Sequence, residues 1–261
     1  MKIPFFQVDA FTSKPFGGNP AAVCPLEDWL AEATMQAIAA ENNLSETAFF
    51  VAEGDGFQLR WFTPTMEIDL AGHPTLATAW VIFNRFDWPL DSIDFRTQSG
   101  RLVVARDGDR LAMDFPARPP VPSADVAAVA AALGARPREL LVARDAVAVF
   151  DSAADVLALR PDMSRLAGLD PFAVIATAPG ADRVDFVSRF FAPKAGVPED
   201  PVTGSAHTEL IPYWSARLGK KAMFARQVSK RGGDLWCEHR GERVTIAGQC
   251  VPVIEGTITL G

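Results

Sequence analysis

Residues 60–80, RWFTPTMEIDLAGHPTLATAW, decide the reading of the fold. Their first three residues end a strand-like run, FQLRWF at 57–62, and their last seven open the run PTLATAWVIF at 74–83, which is apolar on nearly every side. A helix that is apolar all round has to be buried all round rather than along one stripe. Strands therefore surround it. Strand-like runs flank it in sequence, with VDAF at 8–11, PAAVC at 20–24 and TAFFVAE at 47–53 before it. SIDFRTQSG at 92–100, RLVVARDG at 101–108 and RLAMDF at 110–115 follow it, separated by Gly and charged turns. Residues 28–43 carry Trp29, Leu30, Ala33, Ile38 and Ala39 at helical spacing and predict an outer amphipathic helix.

PARPPVPSAD at 116–125 holds four prolines and fits neither a helix nor a central strand. It predicts a boundary between an N-terminal domain, 1–118, and a C-terminal domain, 119–261. The second half again alternates element types, with helices expected at 125–134 and 162–167 and strands at 172–178 and 184–191. It also echoes the first: Arg60-Trp61-Phe62-Thr63-Pro64 returns as Arg189-Phe190-Phe191-Ala192-Pro193, and Asp69 and Gly72 return as Asp200 and Gly204. A match at the same place, strand then loop then helix, reads as a duplication.

In both copies a helix starts at a Gly-containing loop, Gly72-His73-Pro74-Thr75 and Thr203-Gly204-Ser205-Ala206. Pro74 suits a first helical turn, where its missing N–H is no loss. The free N–H groups and the positive end of the helix dipole suit an anion such as a carboxylate or enolate, so the two starts are candidate substrate clamps. Taken singly, Asp69 and Asp200 also read as caps or ion-pair partners and His73 as a packed turn residue. Arg60 and Arg189 read as structural, each inside a strand with acids nearby.

Glu46, in NNLSETAFF at 42–50, opens a strand that soon turns strongly apolar. Desolvating a carboxyl raises its pKa and poises it to exchange protons near neutral pH, though an exposed strand-start glutamate is an equal reading.

Several classes are excluded by composition. The net charge of −7 repels phosphate backbones, and the longest basic run, Ser229-Lys230-Arg231, is short, so no nucleic-acid partner is expected. No apolar run approaches 18 residues and the start, MKIPFFQVDAF, lacks a signal-peptide core, so no membrane and a cytoplasmic location are expected. Cys24, Cys237 and Cys250 form no Cys-x-x-Cys pair, and His73, His207 and His239 have no histidine at i+4, so no metal is expected.

VDAFTSKPFGGNPAAV at 8–23, NNLSETAFF, RWFTP with DLAGHPT, and EDPVTGSAH at 199–207 together resemble the PhzF-like phenazine-biosynthesis family of isomerases, in the family's order and across nearly the whole chain. The resemblance implies an α+β, diaminopimelate-epimerase-like fold. In it, two pseudo-symmetric domains each curl a barrel-like sheet around a central helix, with the active site in the cleft between them, and the proteins are commonly homodimers. Carried over by motif, the acid/base glutamate is Glu46, the G-H-P histidine is His73, and the D-P-V-T-G-S aspartate and serine are Asp200 and Ser205. The implied catalytic set is Glu46, His73 and Asp200, with Gly72, Gly204 and Ser205 binding a small carboxylic acid. The best-known member moves a proton between ring carbons of a dihydro-hydroxyanthranilate without a cofactor. Two rivals are an epimerase or racemase and a non-catalytic small-acid binder. Relatives that epimerise place a cysteine at each helix start, where this chain has His73 and Ser205.

Overall fold

A computed structural model describes residues 1–261. The chain divides into two compact units, one formed by Met1–Asp114 with Ala247–Gly261 and the other by Phe115–Ile246. In the first unit the order is β1 (Lys2–Ala10), β2 (Asn19–Leu26), α1 (Glu32–Asn42), β3 (Glu46–Glu53), β4 (Gly56–Phe62), β5 (Glu67–Ile68) and α2 (Gly72–Arg85). It continues through β6 (Ser92–Thr97), β7 (Gly100–Asp107) and β8 (Arg110–Pro116). The second unit contains β9 (Val121–Pro122), α3 (Val126–Leu133), β10 (Glu139–Val142), β11 (Ala146–Val149), α4 (Ala153–Ala158), α5 (Met163–Ala167), β12 (Val174–Pro179) and β13 (Phe186–Ala192). After a 3₁₀ turn, Pro193–Ala195, come β14 (Val197–Asp200), α6 (Gly204–Leu218), β15 (Ala222–Gln227), β16 (Gly233–His239), β17 (Arg243–Gly248) and β18 (Cys250–Thr259).

The two units repeat each other's pairings. β1–β2, β3–β4, β4–β5 and β6–β7 are antiparallel, whereas β2–β3 and β4–β6 are parallel. In the second unit β10–β11, β12–β13, β13–β14 and β15–β16 are antiparallel, and β11–β12 and β13–β15 are parallel. Six pairings of matching sense extend the five-residue echo to a whole topology. The echoed arginines do the same work in each unit. Arg60 donates to both carboxylate oxygens of Glu67 at 2.7 Å, and Arg189 donates to both of Glu199 at 2.7 and 3.0 Å. Their guanidiniums lie over Phe62 and Phe191.

One element of the echo is corrected. Trp61 stands opposite Ile68 in its hairpin, and Phe190 stands opposite Asp200, so Asp200 corresponds to Ile68. Asp69 is exposed, accepting a hydrogen bond from Ser99. The loop that contains the 3₁₀ turn lengthens the second copy and shifts the acids apart.

Helix α2 is buried on all sides, as an all-round apolar run requires. His73–Ala79 and Val81–Phe83 are out of solvent, packed within β1, β2, β3, β7 and β18. Helix α6 is buried from Ala206 to Ser215 and packs on β15 and β16. It contains Pro212, which has no N–H to give the carbonyl four residues back. That carbonyl, of Thr208, accepts instead from the Arg118 N–H at 2.9 Å. The proline-rich stretch is thereby tied to the middle of α6.

Boundaries differ from expectation in three places for physical reasons. The last strand, β18, pairs along its length with β1, from Lys2 opposite Thr259 to Ala10 opposite Cys250, so residues 247–261 belong with the first unit and not with 119–261. Helix α1 starts at Glu32 rather than at residue 28, because Trp29 turns aside and its indole N–H donates to Gln58 at 2.7 Å. Helix α4 carries a capping box between Ser152 and Asp155, a local signal that sequence reading passed over. No helix is long and apolar enough to cross a membrane.

Candidate active site

Three element starts in the first unit bring Asn19, Glu46 and His73 together. Gly18 sits at φ +59°, and a Cβ there would lie 2.1 Å from the Ala10 carbonyl oxygen, so only glycine lets β2 begin at Asn19 opposite Ala10. The preceding turn is held by buried Asp9, which accepts from the Phe16 N–H at 2.7 Å. Glu46 is placed by the end of α1. Asn43 takes the left-handed cap at φ 50°, its N–H bonding Ala39 at 3.1 Å, and the Asn42 amide donates to Thr47 at 3.1 Å. The NNLSET stretch thus stops a helix and starts β3 at Glu46, beside Ala21 of β2. His73 is the second residue of α2, whose cap residue, Ala71, supplies no side-chain acceptor.

The Nε2 atom of His73 lies 3.1 Å from Oε2 of Glu46, whose side chain is 14% exposed, and Nδ1 lies 3.1 Å from the Asn19 amide nitrogen. Burial pushes the His73 pKa down to about 3, against an opposing backbone hydrogen bond with Pro20. The imidazole is neutral at pH 7, so its approach to Glu46 is not an ion pair, and the two atoms are close without hydrogen-bond alignment. A proton-accepting carboxyl next to a neutral imidazole at a helix start is competent for general acid/base chemistry, and such contacts commonly align only when substrate is bound.

Asp200, Gly204 and Ser205 lie in the second unit. Asp200 ends β14 and is buried, and its carboxylate accepts from the Thr203 hydroxyl. Buried Gln227 locks this turn: its amide donates to the Asp200 carbonyl at 2.8 Å and its oxygen accepts from the Thr203 N–H at 2.9 Å. Gly204 starts α6 without a side-chain cap, and Ser205 is half-buried beside it. One turn on, His207 donates from Nδ1 to the Thr203 carbonyl at 2.8 Å, and burial pushes its pKa down to about 4. The sequence-predicted residues thus form two sets: Glu46, Gly72 and His73 in one unit, Asp200, Gly204 and Ser205 in the other. The sequence marks Thr203 only as part of the second helix-start loop. It marks Asn19 only as part of the GGNPAAV run, and nothing local marks Gln227.

No three His, Cys, Asp or Glu side chains are grouped where they could hold a metal ion. The three thiols are no better placed for proton chemistry. Burial pushes Cys24 up to about 12 and raises Cys237 and Cys250 as well.

Against this geometry the similarities to known proteins are extensive. An uncharacterized isomerase of Pseudomonas aeruginosa is 52% identical, with all of both chains covered. The crystal structure of a PhzF-family phenazine biosynthesis protein from Enterococcus faecalis superposes with a TM-score of 0.97 at 48% identity over 100% of both chains. A hydroxyproline epimerase of Agrobacterium vitis shares the fold alone, at TM-score 0.64 and 9% identity over 98% of this chain and 92% of its own. The PhzC-PhzF family, described as phenazine biosynthesis-like protein, matches residues 8–256, and the chain belongs to that family.

Proposed function

We propose that this protein is an isomerase that moves a proton between two carbons of a small carboxylic acid, with Glu46 carrying the proton. The observation that supports it most is the contact of Glu46 with a neutral, buried His73 at the start of α2, in a chain whose relatives are named isomerases. In the forward step the Glu46 carboxylate takes a carbon-bound proton, the electron pair moves into the substrate's π system, and Glu46 returns the proton to another carbon. No oxidant or reductant is needed. A His73 that protonates only near pH 3 does not compete for this proton. It contributes polarity and position.

The uncapped helix starts at Gly72 and Gly204 offer backbone N–H groups to a carboxylate or a developing enolate. Asp200, fixed by Thr203 and Gln227, and Ser205 are the remaining candidates for substrate binding. The substrate resembles a dihydro-hydroxyanthranilate in being a cyclic or conjugated acid with an abstractable C–H. The same reading makes the enzyme cofactor-independent, cytoplasmic and homodimeric, the last checked by light scattering.

The test is to incubate the protein with a panel of small carboxylic acids in D₂O and find which gain deuterium. Deuterium on a new carbon supports isomerisation, and deuterium on the same carbon with inverted configuration supports the epimerase reading. The raised thiol pKa values disfavour a two-cysteine route to the latter. Exchange as fast with Glu46→Gln as with wild type would remove Glu46 from the mechanism.

A further inference from the structure

Asn19 is fully buried at the start of β2 and touches the site from both ends of its amide. Its Nδ2 lies 3.1 Å from Nδ1 of His73, and its Oδ1 accepts from the hydroxyl of Ser45, the residue before Glu46, at 3.5 Å. An amide nitrogen can only donate, so Nδ1 is the acceptor, and a neutral imidazole then carries its proton on Nε2. The other end of the ring makes the same demand. Nε2 lies 3.1 Å from a Glu46 oxygen, close though out of hydrogen-bond alignment, and at that distance the carboxylate attracts a proton on Nε2 and repels a lone pair there. The opposite tautomer would leave donor against donor at Asn19 and a lone pair beside the Glu46 carboxylate, while the Pro20 carbonyl accepts from whichever ring nitrogen carries the proton.

We propose that Asn19 is a positioning residue that holds His73 in the tautomer protonated at Nε2, so that an N–H and not a lone pair faces Glu46 and whatever Glu46 acts upon. This rests on the reading of Glu46 as proton carrier. It adds that the imidazole works as a hydrogen-bond donor and that the Ser45–Asn19–His73 chain links the loop bearing Glu46 to the helix start bearing His73.

The experiment is imidazole ¹⁵N NMR of the full-length protein, with His73 assigned by comparison with His73→Ala. Wild type is expected to show an unprotonated Nδ1 and a protonated Nε2 at pH 7. Asn19→Asp replaces a donor by an acceptor, so Nδ1 is expected to gain a proton, and kcat to fall on the order of 10²-fold with KM within a few-fold. A wild-type ring protonated at Nδ1 overturns the proposal without reference to any variant, as does an Asn19→Asp spectrum or kcat equal to wild type. If Asn19→Asp does not fold, the wild-type spectrum still decides. Should no acid exchange deuterium, the isomerase reading fails while the tautomer is read independently.

Discussion

Glu209 is a mid-helix glutamate on α6 with no exposed surface, set against an equally buried Asp145 in the turn between β10 and β11. Its Oε1 accepts from the Asp145 N–H at 3.2 Å, while Glu209 Oε2 and both Asp145 side-chain oxygens are buried without a hydrogen-bond partner. Burial, then the neighbouring Asp145 charge, pushes Glu209 up to about 8, although Arg118 and Arg144 pull it down. Asp145 is raised too, by burial first. The sign follows from which state holds the proton. Unfolded, Glu209 ionises near its ordinary 4.5, whereas folded it keeps its proton to about 8, so stability falls as pH rises through that window. At 1.36 kcal/mol per pH unit the loss by pH 7 is on the order of 3 kcal/mol, and by pH 8 about 5 as a ceiling.

Glu209→Gln has nothing to ionise. Its oxygen can still accept from Asp145 N–H, and its new NH₂ can donate to the unpartnered Asp145 carboxylate. The variant is therefore expected to be more stable than wild type by about 2–3 kcal/mol at pH 7 and equal to it at pH 4. Because two units need not unfold together, the assay is native-state hydrogen exchange at the α6 amides of Leu210 and Ile211, corrected for intrinsic rates, from pH 4 to 8. A stability difference that does not change with pH, or a variant less stable at pH 8, would refute the reasoning.

Glu46→Gln is expected to lose ~10²- to 10⁴-fold in turnover with hydrogen exchange in β3 unchanged, measured as deuterium gain by the best acid. Asp200→Ala is expected to raise KM and lower kcat, whereas Asp69→Ala, at an exposed site, leaves both at wild-type values in the same assay. Treatment with a chelator, followed by elemental analysis, is expected to leave turnover intact with no stoichiometric zinc or iron, since no three ligating side chains are grouped.

The sequence exposed what depends on local pattern. PTLATAWVIF can be satisfied only by burial on all sides, and it is α2, buried among five strands. The NNLSET stretch announces a helix stop and a strand start, and Glu46 stands at that start. What stayed hidden depends on partners distant in the chain. The end of β18 reads as one more strand of the second half, and only pairing with β1, some 250 residues away, assigns it to the first. The equivalence of Asp69 with Asp200 failed because the two connecting loops differ in length, and only the strand register shows that Asp200 stands where Ile68 does. Asn19 carries no signal of its own, since its partner is a histidine 54 positions later.

The return of β18 to β1 has a consequence for synthesis. A ribosome delivers β1 before the second unit and its partner strand β18 after it. The pairings from β9–β10 to β15–β16 join strands within the second unit, so they can form before β18 emerges. The older half of the nascent chain waits with one side of β1 unpaired, a row of free N–H and C=O groups that invites other strands. The half that holds Glu46 and His73 therefore gains the second partner of β1 only after the second unit has been made.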